Sequence, residues 1–492
     1  MIKTSRRTFI KGSVAAAGGV VASPWLQPHA RAVGANDDIR IGVVGIGSNV
    51  KIGGKGKQDI RKFRKYPGVR ITALCDPDRR ILDAQVADCK KRNEPVEAYT
   101  DVRKLLASKN VDAIIVTTPN HWHALVTVWA CRAGKHVYVQ KPASHNIFEG
   151  RKMVEAARKY NRIVQCTNNS RSATGFREAL IHVFKGNLGK MLCVYGLNYK
   201  PRNSIGQAGR AQPIPKSIDC ELWSGPAPKA PLMRKNLHYD WHWDWRYGNG
   251  DLGNMGIHFM DGCRMAVNES KLPKHVMSIG GRFGYEDDGQ TPNSQVIYLD
   301  YQPVPVIFEV RGLPKNKSIP ANAWGKNMDT FQGIGQGVVV LCEGGHLAKN
   351  KVFDKAGKLI KQFKPTTPEV GANFLQAVRS GKADDLVADI EEGHTSAALV
   401  HLANISHRLG GTASDGGIIE RISGRRELAK SYERFKTHMD ANGIDLDRTK
   451  ATLGPMLTVN AETERFVGDF SDKANELVTR KYRRPFIVPD KV

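Results

Sequence analysis

Ile39-Arg40-Ile41-Gly42-Val43-Val44-Gly45-Ile46-Gly47 is a short apolar, β-branched run that closes on spaced glycines. Such a run predicts a buried strand. The glycines allow a tight turn and bring backbone N–H groups close to a pyrophosphate at the positive end of the following helix. Gly45, Ile46 and Gly47 are therefore candidate dinucleotide-binding residues. Val50 stands at the third glycine position of the full fingerprint, with Gly53 and Gly54 as substitutes after a short insertion. Lys51, Lys55 and Lys57 follow, placed either to neutralise phosphate or simply to solvate a loop.

Working outward, β-rich runs alternate with helix-length amphipathic segments. Strands are expected at 39–44, 70–75, 112–117, 136–140 and 163–166, with helices between them. This alternation predicts parallel βαβ units wound on both faces of one sheet. Asp76 closes the second strand, where a carboxylate accepts hydrogen bonds from the adenosine ribose and favours NAD. Arg79 and Arg80 follow and offer the alternative of a 2′-phosphate, hence NADP. After residue 167 the β-rich runs lengthen (191–199, 275–283, 294–301, 304–310, 337–342) and are spaced like hairpins. The expected class is α/β: an N-terminal Rossmann doubly wound parallel sheet, then an α+β domain whose largely antiparallel sheet has one face under helices. The expected boundaries are 33–166 for the nucleotide-binding domain, 167–425 for the substrate and oligomerisation domain, and 426–492 for an extension packed on the body.

Two further motifs fall where ligands bind in such sheets, at the strands' carboxyl ends. The first is Thr117-Thr118-Pro119-Asn120-His121-Trp122-His123, followed by His136-Val137-Tyr138-Val139-Gln140-Lys141-Pro142. The second is Gly250-Asp251-Leu252-Gly253-Asn254-Met255-Gly256-Ile257-His258-Phe259-Met260-Asp261, in which His258 and Asp261 lie three apart on an expected helix and face one site. Between them, Tyr239, Trp241 and His242 belong to an aromatic stretch whose rings suit the C–H faces of a sugar, or alternatively anchor a loop to the core.

These motifs resemble the Gfo/Idh/MocA family, which includes glucose–fructose oxidoreductase and inositol dehydrogenases. The resemblance implies that Thr118, Pro119, Asn120, His123, Gln140 and Lys141 contact the cofactor. It places Lys141 beside both the nicotinamide and the substrate hydroxyl. It makes His258 the acid/base, with Tyr239, Trp241, His242, Asn254 and Asp261 shaping the substrate pocket. Two positions depart from the pattern: Gln140 replaces the usual glutamate and Asn254 a usual aspartate. The resemblance further implies a homo-oligomer paired through the second-domain sheet.

At the N-terminus, Ser5-Arg6-Arg7-Thr8-Phe9-Ile10-Lys11 resembles a twin-arginine signal, with an apolar stretch at 14–26 and a small-x-small cleavage site at Ala30-Arg31-Ala32. Residues 1–32 are thus expected to be a signal peptide read by the twin-arginine export machinery, and the protein to be periplasmic or otherwise exported. That route carries folded proteins, which suits an enzyme holding its NAD tightly.

Net charge is +26, and residues 1–32 hold five cations and no acid, so the remainder carries +21. The cations are scattered and no nucleic-acid motif is present. The excess reads as a solvated basic surface, with an acidic sugar substrate as the sharper alternative. No stable membrane insertion is expected outside the N-terminus. The eight cysteines include no CxxC and no metal-ligand spacing, so no metal site is expected, and one or two disulfides have room to form.

The function expected is NAD(P)-dependent hydride transfer at a sugar or polyol CH–OH group. One alternative is an NAD-dependent glycoside hydrolase that recycles its bound cofactor through transient oxidation and elimination. The other is a sugar-binding protein without catalysis.

Overall fold

The computed structural model describes residues 38–48, 53–366 and 369–492. The expected signal peptide, Val50 and Lys51 lie outside them. Six strands form the first sheet: β1 (Ile39–Val44), β2 (Val69–Cys75), β3 (Glu97–Tyr99), β4 (Ala113–Val116), β5 (His136–Val139) and β6 (Val164–Cys166). They are all parallel, in the order β3-β2-β1-β4-β5-β6. This is the doubly wound arrangement, with the topological switch between β1 and β4. The short edge strand β3 carries too few residues to show a period, and the sequence pattern missed it.

The intervening helices are α1 (Lys55–Phe63), α2 (Arg79–Lys91), α3 (Val102–Ala107), α4 (Asn120–Arg132) and α5 (Ile147–Lys159). Alternation along the strands buries Ile41, Val43, Ile115 and Tyr138 toward α1 and α2, and Val44, Ile114, Val116 and Val139 toward α3 to α5.

The second half begins with α6 (Thr174–Phe184), β7 (Met191–Tyr199), α7 (Cys220–Ser224) and α8 (Ile257–Val267). Then follow β8 (His275–Gly281), β9 (Ser294–Leu299), β10 (Val306–Arg311), β11 (Gln336–Cys342), β12 (Gly345–Ala348), β13 (Lys351–Asp354) and β14 (Leu359–Gln362). The chain continues through α9 (Val370–Ser380), α10 (Ile390–Leu409), β15 (Gly411–Ala413), α11 (Asp415–Ile422) and α12 (Arg426–Ala441). It ends with β16 (Ala451–Leu453), β17 (Leu457–Asn460), β18 (Arg465–Val467) and α13 (Ser471–Glu476).

Strands β7 to β18 make a second sheet that is antiparallel except where β10 runs parallel to β7. One of its faces packs on α8 and α10, as Val306, Phe308 and Val340 join Met260, Cys263 and Leu399. The other face is covered too. Tyr195, Leu197, Val296 and Ile307 pack against Ile418 and Ile422 of α11 and Leu428, Tyr432 and Phe435 of α12. The expectation of a sheet helical on one face is thereby corrected. Strand β16 pairs with both β8 and β15, so the last part of the chain is woven into this sheet and not merely appended.

Helix α9 returns to the first domain, setting Phe374 and Val378 into its core beside Tyr138. All eight cysteines are free thiols, and seven are buried, which leaves no disulfide among them.

The C-terminal segment closes the first domain. Val478 accepts the Phe148 N–H at 3.1 Å, Tyr482 donates to Glu149 at 3.2 Å, and the Phe486 ring lies 5.4 Å from Trp122. Phe486 is only 3% exposed, so Phe486→Ala should cost about 3 kcal/mol through lost burial and the cavity left behind. Urea denaturation of the variant beside the wild type measures that difference.

Candidate active site

A cleft opens at the carboxyl ends of β1, β2, β4 and β5, walled on its far side by the segment from His238 to His242 and by Asn254. Its floor is the glycine turn. Gly45 has φ +82°, and a Cβ there would lie 2.8 Å from the Thr118 nitrogen. Gly47 has φ +112° and faces the Gly53 carbonyl with no room for a side chain. Only glycine satisfies both the left-handed backbone and this close approach. Gly53 and Gly54 lie beside the turn and line the cleft. The Ile46 side chain is buried beneath, and its N–H goes to Asp76 Oδ2 at 2.8 Å.

Asp76 lines the cleft at the end of β2, and its other oxygen accepts the Asp78 N–H at 2.9 Å. Burial raises its carboxyl to about pKa 6, against the pull of the backbone donors and of His238. Arg79 and Arg80 are exposed and are not among the lining residues.

Thr118, Pro119, Asn120 and His123 all line the cleft. Thr118 Oγ1 is buried with no hydrogen-bond partner, an unmet polar group inside a nucleotide-shaped site. Asn120 donates to Asn249 Oδ1 at 3.0 Å. The two ring nitrogens of His123 face the Pro142 and Thr118 carbonyls at 2.8 and 2.9 Å, which ties the two strand-end loops together. Glycine turn, orphan hydroxyl and terminal carboxylate together fit a dinucleotide. Lys55, at the start of α1, is the cation beside the turn.

Gln140 has a partner for each end of its amide. Its Nε2 donates to Asp59 Oδ2 at 2.6 Å, and its Oε1 accepts from Thr167 at 3.0 Å. Asp59 is buried on α1 and also pairs with Lys55 at 2.6 Å. A glutamate at 140 would press a second carboxylate against Asp59, so the amide and the acid fit as a pair. Asp59 carried no signal in the sequence, because it sits in a lysine-rich helix that reads as a solvated surface.

Lys141 reaches across to the second domain and donates to the Asn254 carbonyl, with the Asn254 side-chain oxygen 3.4 Å away. Asn254 lies in a single π turn, Leu252–Gly256, just before α8. Such a wide turn departs from the regular ladder and presents a carbonyl to a side chain from outside. Burial lowers the Lys141 ammonium to about pKa 7, helped by Arg202 and Lys200 and opposed by Asp251. Tyr239, Trp241 and His242 line the same end, with the Trp241 and His242 rings stacked at 3.7 Å. His242 Nδ1 donates to the Tyr239 carbonyl at 2.6 Å, which fixes the tautomer with its Nε2 lone pair free. Burial holds this ring neutral, down to about pKa 3.

Neither His258 nor Asp261 is among the residues that line the cleft. Asp261 is fully buried and accepts from Arg171 at 2.9 Å and Ser396 at 2.7 Å. His258 stays close enough to feel Lys141, Lys200 and Lys55, which together with burial hold it near pKa 3. Among the described residues no group of three or more His, Cys, Asp or Glu side chains could hold a metal ion.

Residues 39–168 match the oxidoreductase family with an NAD-binding Rossmann fold, and residues 185–280 match the C-terminal alpha/beta domain of that oxidoreductase family. Both models are Gfo/Idh/MocA models, and the two matches support that family. Curated relatives include a glycosyl hydrolase family 109 protein of Shewanella baltica, 30% identical over 31% of this chain and 36% of its own length. Another of the same name, from Solibacter usitatus, is 31% identical over 37% of this chain and 42% of its own. The chain thus spans well under half the length of these relatives.

Among solved structures, the Bordetella pertussis WlbA dehydrogenase in complex with NADH and UDP-GlcNAcA superposes with a TM-score of 0.54. It is 18% identical, over 75% of this chain and 97% of that one. An Agrobacterium radiobacter oxidoreductase in complex with NAD+, L-tartaric acid and magnesium gives 0.52 at 14% identity, over 74% and 95%. At these identities the likeness is one of fold.

The Gln140–Asp59 pairing makes a pH-dependent prediction. In Gln140→Glu the new carboxyl would be held above its unfolded value by its buried acidic neighbour. Its cost is absent below about pH 4 and grows as pH rises toward the raised folded value. The variant should therefore match the wild type in thermal midpoint near pH 4 and fall below it at about pH 8.

Proposed function

We propose that this chain is an NAD-dependent oxidoreductase acting on a CH–OH group of a sugar or polyol, with Lys141 moving the proton. The observation that carries the reading is a half-buried lysine, making no ion pair with a carboxylate among the described residues, where the nucleotide-binding cleft meets the second domain. Asp76 inside the cleft and Arg79 and Arg80 outside it support NAD over NADP.

When bound, a nicotinamide supplies the acceptor for the hydride. The chain supplies the rest. Oxidation requires the substrate hydroxyl to lose a proton as hydride leaves its carbon, and the Lys141 amine takes that proton. A group near pKa 7 does this well at neutral pH, whereas the His258 imidazole, lowered by burial and the nearby cations to about 3, is a weak base. The free Nε2 of His242 accepts a hydrogen bond from a neighbouring hydroxyl, and the stacked Trp241–His242 and Tyr239 rings bound the sugar's C–H face.

A second reading is favoured by the curated relatives, named as glycosyl hydrolases. The same proton transfer would begin an oxidation, elimination and re-reduction that cleaves a glycoside without net redox change. Release of the aglycone with no accumulation of NADH separates the two. The recycled cofactor would also suit an exported enzyme, which the proposed twin-arginine signal makes this chain.

Mass analysis of nucleotide released by denaturing the purified protein should show NAD(H); a protein that neither carries nor binds dinucleotide overturns the catalytic reading. For oxidation, kcat/KM should rise with pH and level off above about 7, since Lys141 must be neutral to accept the proton. Lys141→Met should lower kcat by about 10²–10⁴-fold and leave NAD affinity nearly unchanged.

A further inference from the structure

Lys141 has to bring its amine to one place in the cleft, and its own side chain does not fix that place. The amine ends a flexible four-carbon stem, so a small rotation of the backbone becomes a large displacement at the tip. The main chain around it is held on both sides. The Lys141 N–H donates to Thr167 Oγ1 at 3.1 Å, and the Pro142 carbonyl faces His123 Nδ1 at 2.8 Å. Pro142 has no N–H of its own, which leaves the bond to Thr167 as the nearest main-chain donor bond to the amine.

Thr167 is itself aimed. Its hydroxyl donates to Gln140 Oε1 at 3.0 Å, Gln140 Nε2 donates to Asp59 Oδ2 at 2.6 Å, and Asp59 Oδ1 takes the Lys55 ammonium at 2.6 Å. Thr167, Gln140 and Asp59 are all buried. From the Lys141 N–H to the Asp59 carboxylate every donor points the same way, so each bond polarises the next and the chain ends on a charge. This order accounts for the amide at 140. One end of that side chain must accept from a hydroxyl while the other donates to a carboxylate, which an ionised glutamate cannot do. With its proton committed to Gln140, the Thr167 hydroxyl turns a lone pair to the Lys141 N–H.

We propose that Thr167 is a positioning residue for Lys141, with Gln140 and Asp59 aiming its hydroxyl. The proposal rests on the reading of Lys141 as the proton acceptor and adds what places it. Thr167 is not among the residues that line the cleft, so it acts only through the lysine. A misplacement of about 1 Å costs on the order of 10²-fold in rate, which is the reason to hold the backbone so closely.

The test needs no substrate. Full-length protein is labelled with trace acetic anhydride from about pH 5 to about pH 11, where only the neutral amine of a lysine reacts. Acetylation of Lys141 is read by peptide mass spectrometry. In the wild type its midpoint should fall near pH 7. Thr167→Val keeps the shape and removes the hydroxyl. Its Lys141 midpoint should rise by about one unit or more as the amine moves toward water, about a tenfold loss of labelling at neutral pH. Thr167→Ser, which keeps the hydroxyl, should stay close to the wild type. The charged groups that act on Lys141, namely Arg202, Lys200, Asp251 and Lys55, are the same in all three proteins, so a shift reports movement of the amine. Lys135 is the control for folding. It lies in the same domain, is 1% exposed, donates to the Ser108 and Val111 carbonyls, and should keep its midpoint near 8 throughout.

An unchanged Lys141 midpoint in Thr167→Val, or a serine variant that shifts as far as the valine one, overturns the proposal. So does a shift that Lys135 shares. Should the valine variant not fold, Gln140→Leu removes the acceptor that aims the hydroxyl and should shift Lys141 in the same direction; no shift there overturns the proposal. A wild-type midpoint in the ordinary lysine range overturns the proton-acceptor reading instead, and the proposal resting on it falls too.

Discussion

The buried side chain of Asn249 is where the two halves of the molecule are fixed to each other. Its Oδ1 accepts from Asn120 at the head of α4, its Nδ2 donates to the His145 carbonyl, and its own carbonyl accepts from Asn404 of α10. Each of these bonds would cost more to leave unmade than it contributes when made. The joint therefore has one good geometry and few poor ones. The segment that follows at once, Gly250 to Asn254, inherits that geometry. Asp251 reaches Arg202, and the π turn sets the Asn254 carbonyl under Lys141. The nucleotide-binding sheet can bring the lysine to the edge of the cleft, but the second domain decides what it meets there.

The electrostatics of the cleft follow from a redistribution of charge, not a loss of it. With an amide at 140 the acid sits one layer deeper, on α1, where Asp59 holds Lys55 at the mouth of the glycine turn. Lys141 is thereby left without a carboxylate, and its proton affinity is set by burial and by the basic residues after β7. Burial first, and those cations next, bring its ammonium down to about pKa 7.

Much of the first sheet was legible because its strands are continuous β-branched runs and its helices carry one apolar stripe. Both are local signals. The glycine turn, Asp76 and the Thr118 to His123 run lay where the strand ends required. What escaped was held by long-range contacts. Asp59, Asn249 and Arg202 come from a helix and loops with no distinctive spacing, and only the fold gives them their partners Gln140, Asn120 and Asp251. His258 and Asp261 keep their helical spacing in α8, but Asp261 is taken up by Arg171 and Ser396, partners that no local pattern announces. The second covered face of the large sheet was missed for a related reason. Helices α11 and α12 lie far in the sequence from the strands they cover, so no local pattern links the two.

The closing of the first domain by residues 478–486 has a consequence for synthesis. Trp122 and Glu149 belong to elements made early, yet their partners Phe486 and Tyr482 follow more than 300 residues later. As the chain leaves the ribosome, the parallel sheet can collapse, but one flank of α4 and α5 stays uncovered until those partners emerge. A nascent chain stalled before them announces itself by an exposed tryptophan.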